Sequence, residues 1–401
     1  MLMKNLNPEM SDDLFRIQSR LIAKAKSGED ICDVMSRGGW TIDDLVYSNS
    51  RAITWAGSHA RSLSDFKEIA KDVPIVSFFT GCGGMDLGFE ALGFVHKAAF
   101  EFNEIFCRTL RVNRPKWRVF GPPHYNGDVS KIDEVIEQLT PIISTPFEGV
   151  FVGGPPCQPF SIAANQRFSK SGENFKRIGF AHSKNGNLLF NFIDIIIHFR
   201  PAAFVIENVP GLRDLDNGEQ LGEAIRMLAA AGYSVEEPKV WDAADYGVPQ
   251  YRQRMFVVGA RGHGSFVMPK TLGHIGCGSV LNDLPEANIE NHETRRHAVG
   301  SVERYRMLDY GKRDQLGRVD RLTPSRPSKT VIAGGANGGG RSHLHPEIPR
   351  TLSVRECARL QTFPDTYKFL GPTARQFTQV GNAVPPVLAA TLAAQIARAF
   401  F

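Results

Sequence analysis

Short apolar runs separated by helical periods recur through the first two thirds of the 401-residue chain. Ile75-Val76-Ser77-Phe78-Phe79 has the length and the β-branched and aromatic content of a buried strand. Thr80-Gly81-Cys82-Gly83-Gly84 breaks it ahead of a helix carrying Met85, Leu87 and Leu92. Ala98-Ala99-Phe100-Glu101 predicts the next strand and Ile105 to Val112 a helix. Gly149 to Val152, Ala202 to Ile206 and Met255 to Gly259 predict later strands. Such alternation predicts an α/β fold, a doubly wound, Rossmann-like sheet over residues 73–260. After Gly259 the period dissolves. Residues 261–349, rich in Gly, Pro, Arg and His, read as a second, smaller domain. Helical character returns at Val354 to Leu360 and Pro386 to Phe400, so residues 350–401 read as a return segment completing both domains. Residues 1–72 form a helical extension, with an amphipathic helix starting near Ser11 and Leu14, Ile17 and Leu21 on one face.

Composition adds bounds. At 42% hydrophobic and 22% charged residues the chain has the make-up of a globular protein with a sizeable core. No apolar run approaches membrane-spanning length, and Met1-Leu2-Met3-Lys4-Asn5-Leu6 lacks a continuous apolar signal core, so a cytoplasmic location is expected. Six cysteines with no CxxC pair indicate neither a disulfide framework nor a metal site. The net charge of +5 permits a polyanionic partner without demanding one. Its distribution says more. Between Arg295 and Lys329 stand ten Lys/Arg against four acids, and Arg167, Lys170, Lys176, Arg177 and Lys184 face Glu173 alone in a Ser/Gly/Asn-rich loop; both stretches suit phosphates. Residues 1–72 balance ten Lys/Arg against eleven acids and are not a basic arm.

The chemistry concentrates at Gly153-Gly154-Pro155-Pro156-Cys157-Gln158-Pro159-Phe160-Ser161. It follows the strand Gly149 to Val152, and its prolines hold the backbone extended, so Cys157 is presented on a stiff loop at a strand's carboxyl end. That edge of an α/β sheet is where ligands bind, which makes Cys157 a candidate nucleophile, with a buried structural thiol as the alternative until the other motifs are read beside it. The turn Gly81, Gly83, Gly84 departs from the GxGxxG of dinucleotide sites, since Asp86 stands at the third glycine. Glu101, at the end of the second strand, is placed to accept both hydroxyls of a ribose. The pair suits an adenosyl ligand without a pyrophosphate.

Phe79-Thr80-Gly81-Cys82-Gly83-Gly84, Pro155-Pro156-Cys157-Gln158, Glu207-Asn208-Val209, Gln250-Tyr251-Arg252-Gln253-Arg254, Arg350 to Gln361 with Phe363-Pro364-Asp365, and Gly381-Asn382-Ala383-Val384 follow in the order found in the DNA (cytosine-5) methyltransferases. The resemblance runs from about Ile75 to the carboxyl terminus, outside the variable segment after Gly259, and is to the bacterial restriction-modification type. It implies a methyl-transfer domain using S-adenosylmethionine, a small target-recognition domain, and double-stranded DNA held between them.

By that resemblance Cys157 adds to C6 of a flipped-out cytosine, Glu207 shares a proton at N3, and Arg252 and Arg254 bind the base and the reacting site. Phe79 resembles the aromatic beside the adenine. Gly81, Gly83, Gly84, Glu101, Asp128, Pro156, Leu189, Asn382 and Val384 match the rest of the cofactor pocket, and Gln158, Ser161 and Arg341 match DNA contacts. Ser77 stands where many members carry an acid. The resemblance also implies a monomer and a cognate restriction endonuclease acting on the same site. Two other readings stay open: the tRNA-methylating branch, whose Cys-Phe-Thr tripeptide is absent, and a DNA-binding regulator working through residues 1–72.

Overall fold

The computed structural model describes residues 8–26, 28–49, 60–156, 188–214, 218–262, 264–281, 284, 289–333 and 343–401. They fall into two compact units. One comprises Met1–Ala60, Val248–Tyr251 and Gly273–Asn382, and the other Arg61–Gly247, Arg252–Leu272 and Ala383–Phe401, within the described residues.

The second unit is built on a sheet of β1 (Pro74–Phe78), β2 (Val95–Phe100), β3 (Val119–Phe120), β4 (Val150–Gly153), β5 (Ala203–Asn208), β6 (Ser234–Val235), β7 (Lys239–Asp242) and β8 (Gln253–Ala260). Their order is β3-β2-β1-β4-β5-β8-β6, with β7 also paired to β8. The first five strands run parallel and β8 antiparallel to β5. From β1 the chain moves outward to β2 and β3, then returns to the other side of β1 as β4. That reversal opens a crevice at the carboxyl ends of β1 and β4, the ligand-binding position of a doubly wound sheet.

A phenylalanine ladder lies beneath this edge. Phe78, Phe100 and Phe120 end three adjacent strands, and their rings stack at 5.2 Å and 4.9 Å, 7° and 13° from parallel. Phe192, from the helix Leu188–Phe199, packs on Phe78 at 4.9 Å. Every residue of β4 is buried, which explains the continuous apolar run that made it legible.

The first unit carries a small sheet, β9 (Arg313–Asp314), β10 (Val319–Arg321) and β11 (His343–Leu344), in the order β11-β10-β9. The amino-terminal segment packs inside this unit rather than standing apart as an extension. Ile22, Ala25, Ile31, Val34, Met35 and Leu45 bury one cluster with Val302. The guanidinium of Arg306 donates to the carbonyls of Val46 and Phe15, and that of Arg321 to Asn49 Oδ1 at 2.6 Å. Tyr47 donates to the carbonyl of His345 at 2.7 Å, and its ring lies against the Arg321 guanidinium.

Two expectations are corrected. The helix Pro8–Ala25 does not bury Leu14, Ile17 and Leu21 as one stripe: Ile17 is 45% exposed, and the fully buried positions are Gln18, Ile22 and Ala25. Gln18 tolerates burial because its amide donates to the carbonyl of Asp44 and accepts from Val46 N–H and Arg306. No apolar run of membrane-spanning length is expected from the sequence, but Thr373–Phe400 is long and apolar enough to cross a membrane by length and composition. It divides into the helices Thr373–Asn382 and Pro386–Phe400, and 83% of its most apolar window is buried in the protein.

Candidate active site

At the carboxyl end of β1 the backbone turns sharply. Phe79 adopts φ 54°, Gly81 φ 60° and Gly83 φ 79°; the last, left-handed, caps the helix Gly84–Glu90, which glycine does without a Cβ clash. Thr80 N–H bonds to the carbonyl of Phe100, and Ser77 Oγ lies 2.5 Å from Thr80 Oγ1. Ser77 is buried and braces the turn from below.

Glu101, one residue past β2, faces this turn. Its Oε2 accepts from Gly81 N–H and its Oε1 from Asn103 N–H, each at 2.7 Å. Burial pushes the carboxyl up from 4.5 to about 7, against the pull of those backbone N–H groups. Asp128 Oδ1 accepts from Ser130 N–H. Phe79 meets Phe192 edge-on at 6.1 Å, and Leu189 is buried in the same core. An aromatic ring, an anchored carboxylate and a glycine turn at the sheet's switch point fit an adenosyl group. Asn382 ends its helix in the first unit and is exposed, whereas Val384 is buried in the second. The structure thus draws Phe79, Gly81, Gly83, Gly84 and Glu101 together.

The end of β5 carries Glu207. Arg254, opposite on the antiparallel side of the sheet, places its Nε 2.8 Å from Glu207 Oε1, with both side chains 13% exposed. Burial raises the Glu207 carboxyl, and Arg254 and then Arg252 oppose that rise. Arg252 is buried, and its N–H bonds to Asp242 Oδ1 at 2.8 Å. Asn208 Nδ2 donates to the carbonyl of Pro155 at 3.1 Å, tying the proline loop to β5. A Cβ on Gly154 would stand 2.8 Å from Glu207 Oε2, so the loop approaches the carboxylate as closely as glycine allows. Sequence reasoning missed the role of Asn208, whose only signal was its place beside Glu207. Pro156 is exposed at the end of the described loop. Cys157, Gln158, Ser161 and Arg341 lie outside the described residues.

The basic cluster divides. Arg306 and Arg321 are buried, and Arg304 pairs with Asp314 while Arg313 and Lys329 pair with Asp320. Arg295, Arg296, Lys312, Arg318 and Arg326 are exposed. Sequence counting overstated the charge offered to phosphates, since five of these cations already have protein partners.

Residues 73–398 match the model of the C-5 cytosine-specific DNA methylases. Over 359 residues, 82% of this chain and 80% of the relative, it is 30% identical to the Type II methyltransferase M.PspPI of Psychrobacter sp. (strain TA137). Over 339 residues, 78% and 75%, it is 32% identical to M.Eco47II of Escherichia coli. A solved chain described as a DNA modification methyltransferase encoded within an E. coli prophage shares the fold with a TM-score of 0.66 at 23% identity, covering 81% of this chain and 98% of that one. The fold is that of the S-adenosylmethionine-dependent methyltransferases, and the chain belongs to the C-5 cytosine-specific DNA methylase family, as a DNA cytosine-5 methyltransferase of restriction-modification type.

Proposed function

We propose that this enzyme methylates C5 of a flipped-out cytosine in a specific duplex sequence through a covalent bond between Cys157 and C6. The Glu207–Arg254 pair at the mouth of the proline loop carries the reading. A carboxyl at that position, with its pKa raised by burial, is suited to hold a proton at N3 while the Cys157 thiolate adds at C6. The added electron density makes C5 nucleophilic. S-adenosylmethionine, when bound, supplies the electrophilic methyl group. Loss of the C5 proton then expels the sulfur and restores the ring. Arg254 holds Glu207 in place, and Arg252 adds positive charge to the same pocket.

Cysteine usage supports the assignment. Cys32, Cys82, Cys107, Cys277 and Cys357 all have thiols pushed up by burial, which disfavours the reactive thiolate and leaves Cys157 as the chain's sixth cysteine. Phe79, the glycine turn and Glu101 would hold the adenosyl group, with Asp128, Pro156, Leu189, Asn382 and Val384 completing that pocket. Gln158, Ser161 and Arg341 would touch DNA, and residues 261–349 would carry target recognition. We infer further a cytoplasmic monomer that protects DNA from a cognate endonuclease.

The test is transfer of labelled methyl groups to DNA followed by bisulfite mapping. Methylation of cytosine C5 at one short sequence supports the reading; wild-type protein that labels tRNA and not DNA overturns it.

A further inference from the structure

β3 is the outermost strand of the large sheet, and its backbone carbonyls alternate in direction. Those of Arg118 and Phe120 face β2, where they accept from the N–H groups of Ala99 and Glu101. The alternate ones, of Val119 and Gly121, turn away from β2. A single side chain meets them: the guanidinium of Arg111 donates through Nη2 to the carbonyls of Gly121 at 2.9 Å and Val119 at 3.2 Å, and through Nη1 to that of Pro122 at 2.6 Å. Arg111 is half-buried and forms no ion pair among the described residues, so its charge is directed at carbonyls alone.

These carbonyls open the loop that carries Asp128. Residues 121–128 leave β3, turn where Tyr125 N–H bonds to the Gly121 carbonyl at 3.2 Å, and bring Gly127 back beside Gly121. A Cβ on Gly121 or on Gly127 would collide with the carbonyl oxygen of Glu101, so both ends of the loop rest on the backbone of Glu101. Arg111 stands in the last turn of the helix Glu104–Asn113, and the first turn of that helix is tied to the Glu101 carboxylate. Asn103 caps it, accepting from Ile105 N–H at 3.0 Å, and donates its own N–H to Glu101 Oε1. One helix thus fixes Glu101 at its start and the approach to Asp128 at its end.

We propose that Arg111 is a positioning residue for S-adenosylmethionine, holding residues 121–128 so that the Asp128 carboxylate meets the adenine of the cofactor. The proposal rests on the reading that Asp128 completes the cofactor pocket. Released from Arg111, the loop leaves three carbonyls to water and lets Asp128 sample positions away from the base, so ordering it on binding costs affinity. Lysine does not replace the fork, because an ammonium is a point charge whereas a guanidinium presents planar donors to several acceptors at once. Glu207 and Arg254 lie on β5 and β8, so the chemical step is left as it is.

The experiment uses the full chain with Arg111→Met, Arg111→Lys, Asp128→Ala, and each Arg111 variant combined with Asp128→Ala. Calorimetry gives S-adenosylmethionine affinity, and methylation of the mapped duplex gives kcat and the KM of each substrate. Arg111→Met weakens S-adenosylmethionine about tenfold, the scale of one hydrogen bond to a charged group. The KM for DNA and kcat at saturating cofactor stay at their wild-type values, and Arg111→Lys recovers only part of the loss. The double variants decide the route: acting through Asp128, the Arg111 substitution adds little to the loss from Asp128→Ala alone. Wild-type cofactor affinity in both Arg111 variants, or losses that sum in full in the double variants, overturn the proposal; should Arg111→Met not fold, the same comparison with Arg111→Lys decides it. Wild-type affinity in Asp128→Ala overturns instead the reading beneath it.

Discussion

Arg254 Nε lies 2.8 Å from Oε1 of Glu207, in a pocket where each side chain is 13% exposed. The two residues sit on adjacent antiparallel strands, with Glu207 in register with Phe256, so Arg254 reaches back along the sheet to meet the carboxylate. Burial favours the neutral acid and the guanidinium favours the anion; the net direction is upward. Arg254→Met removes the opposing charge and raises the Glu207 carboxyl further. The limb of the kcat/KM profile that reports this group moves to higher pH in the variant, and the rate at neutral pH falls by on the order of 10²-fold. A pH–rate profile superimposable on that of the wild type would refute the coupling.

The nucleophile is tested by trapping. A duplex with 5-fluorocytosine at the target blocks the final elimination, because fluorine stands where the departing proton should be. Wild-type protein then remains covalently joined to DNA in the presence of S-adenosylmethionine, and denaturing electrophoresis shows the adduct. Cys157→Ala forms none, while its affinity for S-adenosylmethionine is unchanged. An adduct of equal yield in Cys157→Ala would place the nucleophile elsewhere.

The parts of the fold legible in the sequence are those dictated locally. β1, β4 and β5 are buried apolar runs, and Val354–Leu360 begins with a capping box in which Ser353 and Glu356 satisfy each other's backbone N–H groups. The small sheet escaped notice because its strands have two or three residues, too few for a period to register. Buried cations escaped for a different reason. Arg306 and Arg321 read as phosphate contacts until the partners that enclose them, Phe15, Gln18, Val46 and Asn49, are brought close by the fold. The site divides the same way: Glu207 was visible in its motif, but its link to Arg254 and the tie from Asn208 to Pro155 depend on strand pairing and loop approach.

The packing of the amino-terminal segment predicts a stability effect confined to no catalytic residue. Met35 is fully buried in the cluster with Ile22, Val34 and Val302. Met35→Ala leaves a cavity there and costs about 2–5 kcal/mol. Tyr47→Phe removes the hydroxyl that donates to the His345 carbonyl and costs about 1–3 kcal/mol, since a buried acceptor is left unsatisfied. Chemical denaturation of the full chain measures both. Unchanged midpoints would show that this segment does not contribute to the unit's stability.

Glu101 couples cofactor affinity to pH, and the sign follows from its environment. Its carboxyl is raised from 4.5 to about 7 by burial, so between those values the folded protein binds a proton that the unfolded chain releases. Stability from this group is therefore present at low pH and is lost as pH rises through 7. Ribose binding asks for the opposite state, because only the carboxylate accepts from both hydroxyls. Lowering pH from 8 to 6 thus weakens S-adenosylmethionine binding, with the steepest change near pH 7. Glu101→Gln removes the titration: it weakens the cofactor by the loss of a charge-assisted hydrogen bond of roughly 1.5–3 kcal/mol and flattens the pH dependence of binding. Calorimetric titrations across pH 6 to 8 with both proteins decide the matter. Equal affinities for wild type and Glu101→Gln at pH 8 would remove Glu101 from the ribose site.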